Sequence, residues 1–102
     1  MLYVKVYSTE HGSVVAMCDN ELIGNIYVEG KMELNLKDYA EFYKGELVDE
    51  SEAEDGVKGE LIYSANVIGE RSVGIFLKNG IAGEENIRRI SGIPFIQIYN
   101  LI

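Results

Sequence analysis

The chain reads as a small α+β domain: a mainly antiparallel or mixed sheet, one main helix at about residues 69–79, and one or two short helices. Three observations predict this class. Apolar residues alternate with polar ones near the start, and β-type runs recur toward the end, the marks of strands. A single longer stretch, "GERSVGIFLKNG", places Val73, Phe76 and Leu77 on one helical face and ends in Asn79-Gly80, a helix stop. The length of 102 residues, with 47% hydrophobic and 25% charged side chains, suits one packed core, so residues 1–102 are taken as a single domain.

The elements follow in order. "LYVKVYSTEHGSVVAMCD" is a hairpin: Leu2, Val4 and Val6 alternate with Tyr3, Lys5 and Tyr7, "STEHG" turns, and "SVVAMC" returns. Two more β-type runs, residues 22–28 and 32–36, flank the short loop "EGK". Asp38 is the expected N-cap of a short helix, "YAEFYK", which Gly45 stops. Residues 45–59 are polar and read as a loop with at most one helical turn. "ELIYSANV" is strand-like, and the main helix follows it. Gly74 inside that helix costs about 1 kcal/mol against alanine, which points to a close approach of another backbone. The tail, "IRRISGIPFIQIYNLI", holds two β-type pieces around "SGIP", and Pro94 restricts its strand to a start or an edge. The last piece is apolar enough to lie centrally in the sheet or to form an edge for self-association. Strand order is not legible.

Composition narrows the function classes. No apolar run approaches the roughly 18 residues of a membrane span. The first residues lack the basic-then-apolar pattern of a secretion signal. The single cysteine, Cys18, forms no internal disulfide, which fits a reducing, cytoplasmic setting. The net charge is −8 and uneven: residues 10–60 carry fourteen acids and four lysines, residues 61–102 three acids and four bases. A mostly acidic surface repels phosphate backbones, so generic duplex DNA binding is disfavoured, whereas a basic protein is a natural partner.

Each candidate site has a plainer structural explanation beside it. Six of the ten residues from Glu46 to Asp55 are acids, and Asp49 to Glu60 has the length of a calcium loop. Its fifth and sixth positions are Ala53 and Glu54, where the loop requires an oxygen ligand and glycine, so the match fails. Asp49 and Glu52 fit a capping pair instead, favoured by the helix dipole, with docking of a basic partner as the second use. His11 is the only histidine, which excludes a zinc site of usual composition, and no metal or cofactor is expected. A Cys18–His11 catalytic pair would lack an orienting third residue, and Cys18 reads as a small buried apolar side chain. Residues 69–74, "GERSVG", begin like a phosphate loop but no Gly-Lys-Ser/Thr follows. Gly69, Arg71 and Ser72 still open a helix, a place that binds anions when it is not simply helix initiation. Arg88 and Arg89 stand between Ile87 and Ile90, at least one of them in solvent and within reach of pairing with the acidic loop. The seven tyrosines read first as half-buried sheet residues and second as an interface with the arginines.

The segments "YVKVY", "VVAMCDNELIG", "FYKGELVDESEA", "ANVIGERSVGIFLKNGI" and "IRRISGIPFIQIY" occur in that order. Together they resemble the archaeal domain-of-unknown-function family numbered 424, over about residues 3–99. The specificity lies in the joint order, since no segment carries a catalytic signature. The resemblance implies a small stand-alone protein of no established activity, associated with translation or ribosome maturation. It carries over Cys18, Asp19 and Gly24; Phe42, Tyr43, Gly45 and Glu46; Asn66, Gly69, Glu70 and Arg71; and Gly92, Pro94 and Gln97. Relatives are expected to carry histidine after the tail proline, where this chain has Phe95, so a histidine-dependent activity does not carry over. The glycine, proline and aromatic positions are structural in character. Asn66, Glu70, Arg71 and Gln97 are the polar positions to watch.

Two functional expectations result. The first is a non-enzymatic cytoplasmic module that binds a ribosomal or other translation component, its acidic face toward basic protein and Arg71, Arg88 and Arg89 toward RNA or acidic residues. The second is a small ligand-binding protein or enzyme whose site gathers Asn66, Glu70, Arg71 and Asp19. Self-association through the C-terminal strand is compatible with both.

Overall fold

The computed structural model describes residues 1–99. The expected apolar end of the tail therefore lies partly, at residues 100–102, outside the described residues. Period-two alternation makes β1 (Leu2–Thr9) and β2 (Gly12–Asp19) an antiparallel hairpin, with Val4 opposite Met17 and Val6 opposite Val15. After a 3-10 turn at Asn20–Leu22 come β3 (Ile26–Glu29) and β4 (Met32–Asn35), which among the described residues pair only with each other. Then follow α1 (Ala40–Tyr43), β5 (Glu46–Val48), α2 (Glu50–Val57), β6 (Ile62–Ile68) and α3 (Glu70–Lys78). A second 3-10 turn, Glu84–Asn86, leads into β7 (Arg88–Ile90) and β8 (Ile93–Ile98).

Six strands form a mixed sheet in the order β5-β1-β2-β6-β8-β7, in which β2 and β6 alone run parallel. α2 and α3 cover one face. There Leu2, Val15, Met17, Ala65, Val67 and Ile96 pack against Ala53 and Val57 of α2 and Val73 and Phe76 of α3. The other face, one residue out of phase along each strand, carries Ala16, Cys18, Ile68 and Phe95 beneath the β3–β4 hairpin and α1. β2 and β6 are thus buried from both sides, which is why "VVAMC" and "SANVI" lack clean alternation. β8 lies inside the sheet between β6 and β7, and Pro94 sits near its start, before the pairing with β6 begins at Phe95.

Five expectations are corrected. Residues 45–59 are not a loop: they hold β5 and the two-turn helix α2. The Asp49–Glu52 pair is what organises them, as a full capping box with Glu52 N–H donating to Asp49 Oδ1 at 2.8 Å. Asp38 does not cap α1; the N-cap is Tyr39, and Asp38 Oδ2 accepts from Asn35 Nδ2 in the turn before it. Gly45 owes its place to β1, because a Cβ there would overlap the Val4 carbonyl oxygen. Gly74 approaches no backbone: a Cβ there meets nothing within 4 Å. The strand expected from Leu22 starts only at Ile26, because Asn20–Leu22 closes the 3-10 turn first.

Candidate functional site

Asn66 and Gln97 are direct cross-strand partners, on β6 and β8 respectively. Their parity puts them on the sheet face away from α2 and α3, between the apolar Ile68–Phe95 pair and the end of the hairpin's cover. There they line a groove of about 410 Å³ together with Tyr39, Phe42, Tyr43 and Glu33. Among the described residues neither carboxamide has a side-chain hydrogen-bond partner in the protein, although each carries two donors and an acceptor oxygen. The aromatic wall is held rigidly. Phe42 stacks on Tyr7 with centroids 5.4 Å apart and meets Tyr43 edge-on at 5.1 Å, while the Tyr7 hydroxyl donates to the Phe42 carbonyl. Tyr43 is buried, which raises its phenol above the ordinary range and keeps it protonated. Tyr39 stands 65% exposed at the mouth.

The other expected site residues gather elsewhere. The buried Asp19 ends β2 and reaches the first turn of α3: Oδ1 accepts from the Ser72 N–H at 2.9 Å and the Ser72 hydroxyl at 2.8 Å, and Oδ2 accepts from the Arg71 N–H at 3.1 Å. Gly69 permits this contact, with φ +106° and no room for a Cβ beside the Asp19 carboxylate. The helix N-terminus that the sequence offered to an anion is therefore filled by the protein's own carboxylate. The Arg71 guanidinium pairs with Glu21, at 2.7 Å to Oε2, and donates to the Met1 carbonyl. Partial burial would raise the Glu21 carboxyl, but its own backbone N–H and Arg71 outweigh this and hold it below the usual carboxylate value. Glu70 pairs with Arg89 at 3.3 Å. Arg89 thus finds Glu70 rather than the acidic stretch 46–55, and Arg88, also exposed, has no ion-pair partner among the described residues.

The structure therefore divides the set. It joins Asn66 with Gln97, Asp19 with the Arg71 backbone, and Glu70 with Arg89; it does not put Asn66 in one groove with Glu70 and Arg71. A second groove of about 510 Å³ runs between α2 and α3, opened by Gly74. Its charged lining is largely engaged internally: Glu54 accepts from Asn79 at 2.9 Å and pairs with Lys78 at 3.3 Å, which together keep its carboxyl below the usual value. Cys18 is fully buried and donates to the Asp19 carbonyl, and His11 stacks on Tyr63. Among the described residues no three His, Cys, Asp or Glu side chains form a metal-binding group. Sequence reasoning missed Tyr39 and Glu33 as neighbours of Asn66, and Glu21 as the partner of Arg71. The "NELIG" turn after Asp19 held the second signal; nothing local held the first, because it depends on where the hairpin folds back.

A crystal structure of an uncharacterized conserved protein from the archaeon Methanopyrus kandleri superposes with a TM-score of 0.76 at 23% identity, covering 97% of this chain and 90% of that one. That likeness is one of fold. No curated protein matches the chain. The model of the family described as "Protein of unknown function (DUF424)" matches residues 6–101. With all but six residues inside that match, the chain belongs to the DUF424 family.

Proposed function

We propose that the protein is a non-enzymatic cytoplasmic binding module that docks on a basic component of the translation machinery. Charge carries this reading. The net charge is −8, and among the described residues four of the nine bases are ion-paired within the fold, Arg71 with Glu21, Arg89 with Glu70, and Lys58 and Lys78 with Glu54, while Lys5 donates to the Glu41 carbonyl. Glu50, Glu52 and Asp55 on α2 face solvent, so the field seen by a partner is acidic. Arg88 is the arginine left to meet RNA phosphate or an acidic residue of that partner. Co-sedimentation with ribosomal subunits at low and high salt tests the proposal. Enrichment with one subunit that falls as salt rises is expected, since exposed charges are screened. Absence from both subunits, or binding indifferent to salt, overturns it.

One observation favours a second reading, a small-ligand-binding protein. The two carboxamides over the sheet, with no partner for their side chains among the described residues, sit in a groove large enough for a small molecule. The relevant pair is then Asn66 with Gln97 rather than Asn66 with Glu70 and Arg71.

A further inference from the structure

We infer that the Asn66–Gln97 groove binds an unphosphorylated nucleobase-bearing ligand, a nucleoside; this rests on the small-ligand reading and names its ligand class. The floor supplies two carboxamides side by side, from strands in direct register. Each presents a donor and an acceptor in one plane, the pattern that matches a nucleobase edge; Asn and Gln pair with adenine in this bidentate way. The walls supply flat apolar faces. Unpaired bases stack on such aromatic rings, and the Phe42 ring is already fixed by Tyr7 and Tyr43, so little side-chain freedom is lost on binding. Tyr39 at the mouth has an exposed ring to close over the ligand.

The rim decides between nucleoside and nucleotide. Glu33 lines the groove as an acceptor suited to sugar hydroxyls, as acidic side chains serve ribose in dinucleotide sites. The same carboxylate, in a chain of net charge −8, opposes a phosphate. A peptide amide would satisfy the carboxamides, but only a flat ring also uses the aromatic wall.

The test is an amide NMR titration of the intact chain with adenosine, guanosine, AMP and a blocked dipeptide amide. The side-chain NH₂ signals of Asn66 and Gln97 report the site directly. Adenosine or guanosine is expected to move both, with AMP at least about tenfold weaker. Gln97→Ala, at an exposed position, leaves the fold intact and weakens nucleoside binding roughly tenfold, the scale of one bidentate contact. Tyr39→Ala weakens it through lost stacking. Unmoved signals at millimolar nucleoside overturn the inference, as does binding indifferent to both substitutions or AMP binding as tight as adenosine. Signals moved by the dipeptide alone overturn the nucleoside and leave the small-ligand reading standing. Co-sedimentation with ribosomal subunits is independent of all these outcomes.

Discussion

Asp19 and Cys18 are neighbours at the end of β2 with opposite environments. The Asp19 carboxylate is buried yet satisfied three times by α3, two of these bonds coming from backbone N–H groups. Cys18 points to the other face, into Leu36, Tyr43 and Ile68. Burial, then the negative charges of Asp19 and Glu21, pushes its thiol from 9.0 to about 12. The thiol is therefore protonated at neutral pH and poorly nucleophilic. The folded state holds this proton more tightly than the unfolded chain does. The associated stability is complete below about pH 9 and is lost as pH rises toward about 12, by at most about 1.4 kcal/mol per pH unit. Urea midpoints at pH 8, 9.5 and 11 should fall more steeply for the natural chain than for Cys18→Ala. Equal slopes would show that the thiol is not shielded. A small buried cysteine was legible from "VVAMC"; the cap that Asp19 provides was not, because 53 residues separate it from Ser72.

At the scale of elements, α2 and α3 show two ways in which glycine and acids mislead. Six acids in ten residues resemble a solvated loop, yet the capping box and the two buried residues Ala53 and Val57 suffice for a helix once the sheet lies beneath it and α3 beside it. Gly74 resembles a contact point, yet it faces the open groove between the two helices. Gly74→Ala should stabilise the fold by about 0.5–1 kcal/mol, since the helix gains propensity and no Cβ clash arises. A chemical-denaturation curve that shifts to lower urea would mean the groove closes over that position. The helix itself was legible from its single apolar face, with Val73 and Phe76 buried as expected and Leu77 at the margin. The short elements were not. α1 and β5 hold four and three residues, too few to show any period, and each exists because β1 lies alongside.

For the whole molecule, the β3–β4 hairpin is the part expected to open first. Among the described residues it pairs with no other strand, and it is fastened by the Ser91 N–H donating to Glu29 Oε1 at 2.7 Å, the Ser91 hydroxyl donating to the Val28 carbonyl, and the apolar contacts of Tyr27 and Leu34. An isolated two-stranded ribbon is marginal in water. Backbone amides of residues 26–35 should therefore exchange with deuterium well before those of β2 and β6, which are paired on both edges. Glu29→Ala should widen the gap without changing exchange in β6. Uniform protection across both sheets would show the hairpin to be an integral layer. Early opening of the hairpin would bear on the groove, because Glu33 of β4 lines it beside the aromatic wall.

The sequence by itself determined the α+β class, the first hairpin, the main helix, the capping pair of α2 and the acidic surface. These follow from propensities, periods and charges that act over a few residues. Only the tertiary structure decided which polar residues share a site. Asn66 meets Gln97 across 31 positions and Asp19 meets Ser72 across 53, while Asn66 and Glu70, four apart in sequence, line different grooves. The reason is physical: strand register and the choice of sheet face are fixed by burial on both sides of β2 and β6, and a one-residue change of phase would send Asn66 to the opposite face.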